Sequence, residues 1–150
     1  MGYELRVVRS PEDWQAMHDI RRAELFAPGR HGDEIVYDEN HPADRDLGNV
    51  PYVLLLDGMP IGVTRLDRRG EIGVVRLVAI IRDRQGEGHG RVLSQLVDAE
   101  ARQFGITRLQ VNAHPDAVGY YERTGWHREE WDPAELVGLA VRAVQMAKGI

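Results

Sequence analysis

Between Ile80 and Arg91 the chain runs I-I-R-D-R-Q-G-E-G-H-G-R, with glycine at the alternate positions Gly86, Gly88 and Gly90. Glycine adopts left-handed backbone freely and lets the main chain approach a ligand, so successive N–H groups in such a turn can converge on a phosphate. The amphipathic helix that follows adds the positive end of its dipole. A merely tight strand-to-helix connection fits the same glycines, because glycine also serves close packing. Neither common nucleotide fingerprint is present. The turn lacks the Gly-Lys-Ser/Thr ending of a phosphate loop, and it follows a series of hairpins instead of an early strand of a parallel fold.

Other residue types on the chain could do chemistry, and each has a structural reading beside the chemical one. Tyr120 and Tyr121 carry hydroxyl donors, but tyrosines beside a core strand usually pack with the hydroxyl satisfied. His114 can take a proton near neutral pH, or simply close a strand. Arg76 interrupts an apolar run, where its fork could hold a carboxylate or pair with a buried acid such as Asp67. Alternation from Val74 through Arg76 to Val78 places all three on one strand face, the substrate side. Glu71, at the start of that run, is a candidate base. Glu34, Asp38 and His41 are others, in a polar stretch that could wall a site, and Arg21 and Arg22 face either an acceptor or water. The six histidines show no close ligand spacing and no His-Glu-x-x-His, so no metal site is expected.

The elements that must position these groups follow from periodicity. Tyr3 to Val8 is a strand, Ser10-Pro11 starts a helix with Trp14, Met17, Ile20 and Leu25 on one stripe, and Pro28-Gly29 ends it. Residues 30–50 have no clean period and read as loop with a short helix. Tyr52–Leu56 and Ile61–Leu66 flank the turn signal Asp57-Gly58, and Ile72–Ile81 completes an antiparallel meander whose last strand is apolar enough to be central. Val92, Leu93, Leu96, Val97, Ala101 and Phe104 mark a helix closed by Gly105, and Thr107–Ala113 is the next strand. Strand, helix, strand makes the last two strands parallel and puts the glycine turn at a carboxyl edge of the sheet, where ligands bind. Pro115 starts a short helix that Gly125 stops. Trp126–Trp131 and Leu139–Met146 supply the last two strands, although Ala140, Val141, Ala143 and Val144 also suit a helix.

The whole is one mixed α/β domain over residues 1–150. The chain has no cysteine, which excludes thiol catalysis and thiolate metal sites. Without an apolar run of membrane length or a basic-then-apolar start, a cytoplasmic protein with no membrane partner is the expectation. A formal charge of -5 with interspersed signs gives no support to nucleic-acid binding.

The segment Gln85-x-x-Gly88-x-Gly90, with Ile80 five residues earlier, resembles the acetyl-coenzyme A (acetyl-CoA) motif of the GCN5-related N-acetyltransferases, the GNAT family. Ala117-Val118-Gly119-Tyr120-Tyr121-Glu122-Arg123-Thr124-Gly125-Trp126 resembles the family's later segment, and the likeness covers about Tyr52 to Trp126. The resemblance implies a GNAT-like mixed sheet with an antiparallel N-terminal meander, a central strand-helix-strand crossover and flanking helices. It implies that Gln85, Gly86, Glu87, Gly88, His89, Gly90 and Arg91 surround the CoA pyrophosphate, with Glu87 and His89 free to face water. Leu77, Val78, Ala79 and Ile80 would pair through their backbone with the pantetheine arm, and Ala117 and Tyr120 would lie beside the cofactor. Tyr121 would donate to the departing thiolate. His114 departs from the pattern, standing where many relatives have asparagine, with Asn112 two residues earlier.

The resulting expectation is direct acetyl transfer to the amine of a small-molecule or amino-acid-like acceptor, catalysed by Tyr121, His114 and Glu71. Arg76, Arg21, Glu34, Asp38 and His41 would contact the acceptor. The rivals are an inactive CoA-binding sensor or interaction module and a protein or peptide N-acetyltransferase. A homodimer is plausible by the same resemblance.

Overall fold

The computed structural model describes residues 2–27 and 36–150. Glu34, expected near the acceptor, lies outside the described residues. Strand β1 (Tyr3–Val7) leads into helix α1 (Pro11–Glu24), whose first turn is closed by the Ser10 side chain accepting from the Asp13 N–H, with proline at the first helical position. Strands β2 (Asn49–Leu56) and β3 (Met59–Arg69) meet through Asp57 and Gly58, both with positive φ, as a two-residue hairpin turn requires. Strand β4 (Ile72–Ile80) completes the meander. Helix α2 (His89–Gln103), strand β5 (Arg108–Ala113), helix α3 (Val118–Arg123) and strands β6 (His127–Arg128) and β7 (Val144–Gly149) follow. The sheet order is β1-β2-β3-β4-β5-β7-β6, antiparallel except for β4 against β5, and β4 is its middle strand.

Period-two alternation gives the sheet two different faces. One carries Tyr52, Leu54, Leu66, Val75, Leu109 and Val111 against Leu93, Val97 and Ala101 of α2 and Tyr121 of α3. The other carries Val53, Leu55, Val63 and Ala79 against Met17 and Ile20 of α1. Beside that second cluster the same face holds Arg65 and Asp67, both buried.

Two expectations are corrected. The last strands are shorter than the apolar text suggests, because the buried Gln145 side chain accepts from the N–H groups of Trp131 and Asp132 and turns the chain off the sheet after β6. Leu139–Ala143 is neither strand nor α-helix. Gly138–Ala140 is a short 3-10 turn, with Val137, Leu139 and Val141 exposed.

Strand β4 also departs from regular alternation. Val63 pairs with Ala79 and Arg65 with Arg76, so one residue of β3 faces two of β4, a β-bulge in which Leu77 takes φ 55°. The Thr64 hydroxyl donates to the Arg76 carbonyl at 3.1 Å and pins it. Alternation is therefore broken after Arg76. Val78 falls on the α2 face, while Arg76 keeps Asp67 and Val74 as its neighbours on the α1 face.

Candidate functional site

The parallel ladder between β4 and β5 runs from Ile72↔Arg108 to Val75↔Val111 and stops. Beyond it β4 bulges and continues to Ile80 with no partner on the β5 side, so the backbone from Leu77 onward borders a gap in the sheet. On the α2 face of this gap lies a small cleft lined by Thr64, Val75, Val78, Leu93, Tyr120, Tyr121 and Trp126, among others.

At the far end of β4 the chain enters the glycine turn. Gln85 folds back to donate its side-chain amide to the Ile80 carbonyl at 2.8 Å, tying turn to strand. Gln85 N donates to Arg82 O and Val92 N to Gly88 O, and between them the N–H groups of residues 86–91 have no acceptor among the described residues. Gly86 and Gly88 have φ of 78° and 90°, with open space where a Cβ would stand. Gly88 caps α2 without any side chain, and the first turn of that helix carries no acid. A row of unclaimed N–H groups at a helix start is what an anion needs.

Gly90 does something else. A Cβ there would lie 2.9 Å from Tyr120 Cε1, and the Tyr120 hydroxyl donates to the Gly90 carbonyl at 2.7 Å. Tyr120 thus clamps the start of α2, and burial pushes its hydroxyl pKa up to about 12. His89, expected to face water, is buried, with Nδ1 2.7 Å from the Tyr3 hydroxyl and Nε2 2.8 Å from a Glu87 carboxylate oxygen. His89 and then Arg84 hold the Glu87 carboxyl below its usual range, so the acid in the turn arrives already paired. Arg91 is exposed, and Ala117 sits at the start of α3 against the core.

Tyr121 stands between Tyr120 and Trp126, in edge contact with each, and its ring lines the cleft. Its hydroxyl has no hydrogen-bond partner among the described residues, and burial raises its pKa well above the ordinary value for tyrosine. It is therefore a protonated donor with nothing yet to donate to.

The opposite face of the gap is ionic. Asp44 accepts from Arg21 (2.8 Å) and Arg65 (3.0 Å), and Asp67 accepts from Arg65 (2.7 and 3.1 Å) and Arg76 (2.7 Å). Arg76 continues the chain with a two-point contact to Glu135 at 2.8 and 3.0 Å. Burial favours a neutral Asp44, but Arg21 and Arg65 together outweigh it and hold the carboxyl below its usual range.

Residues 34–149 match the acetyltransferase (GNAT) domain. The chain belongs to the GNAT family. A Lactobacillus plantarum structure described as an N-acetyltransferase superposes with a TM-score of 0.79 at 23% identity, over 99% of each chain. PaiA N-acetyltransferase from Thermoplasma acidophilum, solved in complex with coenzyme A, gives 0.76 at 16% identity over 100% of both chains. A Bacillus subtilis (strain 168) protein described as an acetyltransferase is 22% identical over 123 residues, 81% of this chain and 82% of that one. The mixed sheet is the GNAT fold, with the meander, the parallel pair and the flanking helices in the expected order. Among the described residues no helix is long and apolar enough to cross a membrane.

Within this GNAT domain, several acceptor and base expectations do not survive the geometry. Glu71 is exposed in the turn before β4, about 20 Å along the strand from the bulge at roughly 3.3 Å per residue, and so cannot reach the gap. Arg76 takes the alternative role: its charge is met by Asp67 and Glu135. Arg21 is buried and bound to Asp44 instead of facing water. His114 Nδ1 accepts from the Asp116 N–H at 3.1 Å, which engages one ring nitrogen in capping the turn and leaves Nε2 as the other. His41 Nδ1 is engaged in the same way by Ala43 N–H. Asp38 is exposed and accepts from Asn40 N–H. Three features went unread in the sequence: the Leu77 bulge, the Thr64 pin and Glu135. An apolar strand gives no sign of a bulge, and an acid in a Pro-initiated loop resembles any solvated one.

Proposed function

We propose that the protein transfers the acetyl group of acetyl-CoA directly to the amine of a small molecule or amino-acid-like acceptor, both bound at once. One observation carries the reading: past Val75 strand β4 runs on without β5 toward a turn whose residues 86–91 have unclaimed N–H groups, while Tyr121, whose hydroxyl has no partner among the described residues, lines the cleft on the α2 side. The turn would bind the pyrophosphate, and the backbone of Leu77–Ile80 the pantetheine arm, as a strand-like partner at the edge that β5 leaves free. Acetyl-CoA would supply an activated thioester.

Tyr121 would then donate a hydrogen bond to the departing sulfur. Its raised pKa lies far above the roughly 8.5 of an ordinary thiol, so it would steady the developing negative charge without surrendering its proton. His114, through Nε2, would supply a second donor at the β5 end of the gap. Among the described residues neither Glu71 nor Asp38 is placed to serve as the base, and the amine proton would leave to water. Tyr120 and His89 would hold the turn in shape.

The test is acetyl-CoA consumption by the purified protein against a panel of amines and N-terminal peptides, with product mass and CoA binding recorded in parallel. Acetylated small amine is the expected product. Acetylation of peptides alone would move the acceptor class, saturable CoA binding without product from any acceptor would favour a sensor, and absence of CoA binding would overturn the reading.

A further inference from the structure

The last rung of the parallel ladder is Val75↔Val111, so Arg76 and Asn112 are the next residues on the two strands as they part. Glu135 bridges them. Its Oε1 accepts from Arg76 Nη1 (2.8 Å) and Asn112 Nδ2 (3.0 Å), and its Oε2 accepts from Arg76 Nη2 (3.0 Å). A carboxylate offers about four lone-pair sites, two on each oxygen, so one site on Oε2 is left over. The carboxylate stands at the apex of the gap on the face away from α2, where the cleft and Tyr121 lie. It is about a quarter exposed, at 27% of its side chain, so a ligand can reach it from solvent.

Its support is fixed from several directions. Gln145 donates to Asn112 Oδ1 at 2.9 Å and to the Asp132 carbonyl at 2.7 Å, locking the loop that carries Glu135 to strand β7. Arg76 and then Asn112 favour the ionised carboxylate, which stays charged at neutral pH. The cation expected to read a substrate carboxylate is thus already bound to acids, and what the apex presents is an unfilled carboxylate oxygen.

We infer that Glu135 is the acceptor anchor: its Oε2 binds the ammonium group of a cationic alkyl amine at the apex of the gap and selects such amines over acceptors carrying a carboxylate beside the chain end. This rests on the proposed placement of the thioester between β4 and β5. An amine held at Oε2 approaches the gap from the face opposite to Tyr121, so nucleophile and departing sulfur are attended from opposite sides. Glu135 holds the amine; the proton it must shed before attack passes to water, because a carboxylate already paired with Arg76 is a weak base.

The test measures binding of diaminobutane and of γ-aminobutyrate, the latter of similar length with a carboxylate in place of the second ammonium, to the full chain saturated with CoA. Diaminobutane should bind more tightly than γ-aminobutyrate. Glu135→Gln should weaken it roughly ten- to a hundredfold, the loss of one charged hydrogen bond. Glu135→Asp should recover part of that affinity. Glu130→Gln, an exposed acid on the same loop, should change it by less than about twofold, as expected of an exposed charge. CoA affinity is measured separately for each variant. Equal binding of diaminobutane to the Gln variant, tighter binding of γ-aminobutyrate, no amine binding to the unmodified protein, or a parallel loss of CoA affinity in the Gln variant would each overturn the assignment. Failure of the unmodified protein to bind CoA would instead remove the donor reading on which it rests.

Discussion

The two faces of the gap between β4 and β5 are built from different materials. On the α2 face the working parts are main-chain N–H groups, apolar walls and one tyrosine hydroxyl, held by glycine geometry and by packing of Tyr120 on Gly90. On the α1 face they are long charged side chains, with Arg21, Asp44, Arg65, Asp67, Arg76 and Glu135 forming one continuous chain of ion pairs. The first arrangement suits a ligand whose recognition is mostly backbone and shape. The second fixes a precise polar surface at the expense of desolvating several charges, which makes it weak support for stability while both partners stay and costly to break by removing one.

That difference predicts where the molecule breaks hardest. Asp67 is 1% exposed and answers Arg65, Arg76 and, at 3.7 Å, the more exposed Arg69, so Asp67→Ala leaves Arg65 and Arg76 short of a counter-charge inside the protein. We expect a loss of about 3–5 kcal/mol of folding stability, read by chemical denaturation. A loss under about 1 kcal/mol, typical of exposed pairs, would mean that the network is solvated and the contrast between the faces is overstated.

On the other face a single hydroxyl should matter to rate and hardly at all to folding. Tyr121→Phe keeps the ring and its edge contacts and removes no hydrogen bond present among the described residues. Turnover should fall roughly tenfold to a thousandfold with CoA affinity and denaturation midpoint unchanged. Unchanged turnover would make Tyr121 a packed aromatic only.

Much of the α2 face was legible in the sequence and little of the α1 face. Glycines at fixed offsets, a helix stripe and the Tyr-Glu-Arg-Thr-Gly-Trp segment are local patterns, because backbone conformation and helical packing are set within a few residues. The α1 face depends on pairs far apart in the chain, such as Arg76 with Glu135 and Arg21 with Asp44, whose meeting only the completed topology decides. Period-two alternation holds from Val74 to Arg76 and fails at Val78, since one inserted residue reverses every side chain after it. Glu71 precedes the central strand, and its distance from the gap is set by a bulge at Leu77 that an apolar sequence does not reveal.

Gly90 tests whether the glycines of the turn share one purpose. If Gly90 exists for Tyr120 and not for the ligand, Gly90→Ala should push the ring away, lower stability by roughly 1–3 kcal/mol as overpacking does, and weaken CoA binding only through the displaced turn. Combining it with Tyr120→Leu, which removes the clash, should restore most of the stability. No such recovery would place the constraint in the ligand site instead.

The smallest expected effect sharpens the ionic side. His18 of α1 is buried beside the Arg21–Asp44 pair, with its Nδ1 2.5 Å from the Tyr37 hydroxyl, and burial holds its pKa below the ordinary value. The unfolded chain takes up a proton as pH falls through about 6.5, whereas the folded chain resists until lower pH. Folding stability should therefore decline on acidification from about 6.5 to the folded-state pKa and then level off with respect to this group. The Glu135 and Asp44 carboxyls, both held low, add their losses only below about 4.5. His18→Gln, which keeps an acceptor for the tyrosine hydroxyl, should flatten the denaturation midpoint between about pH 7 and 5. A slope that persists in this variant would assign the titration to another histidine and leave His18 as packing alone.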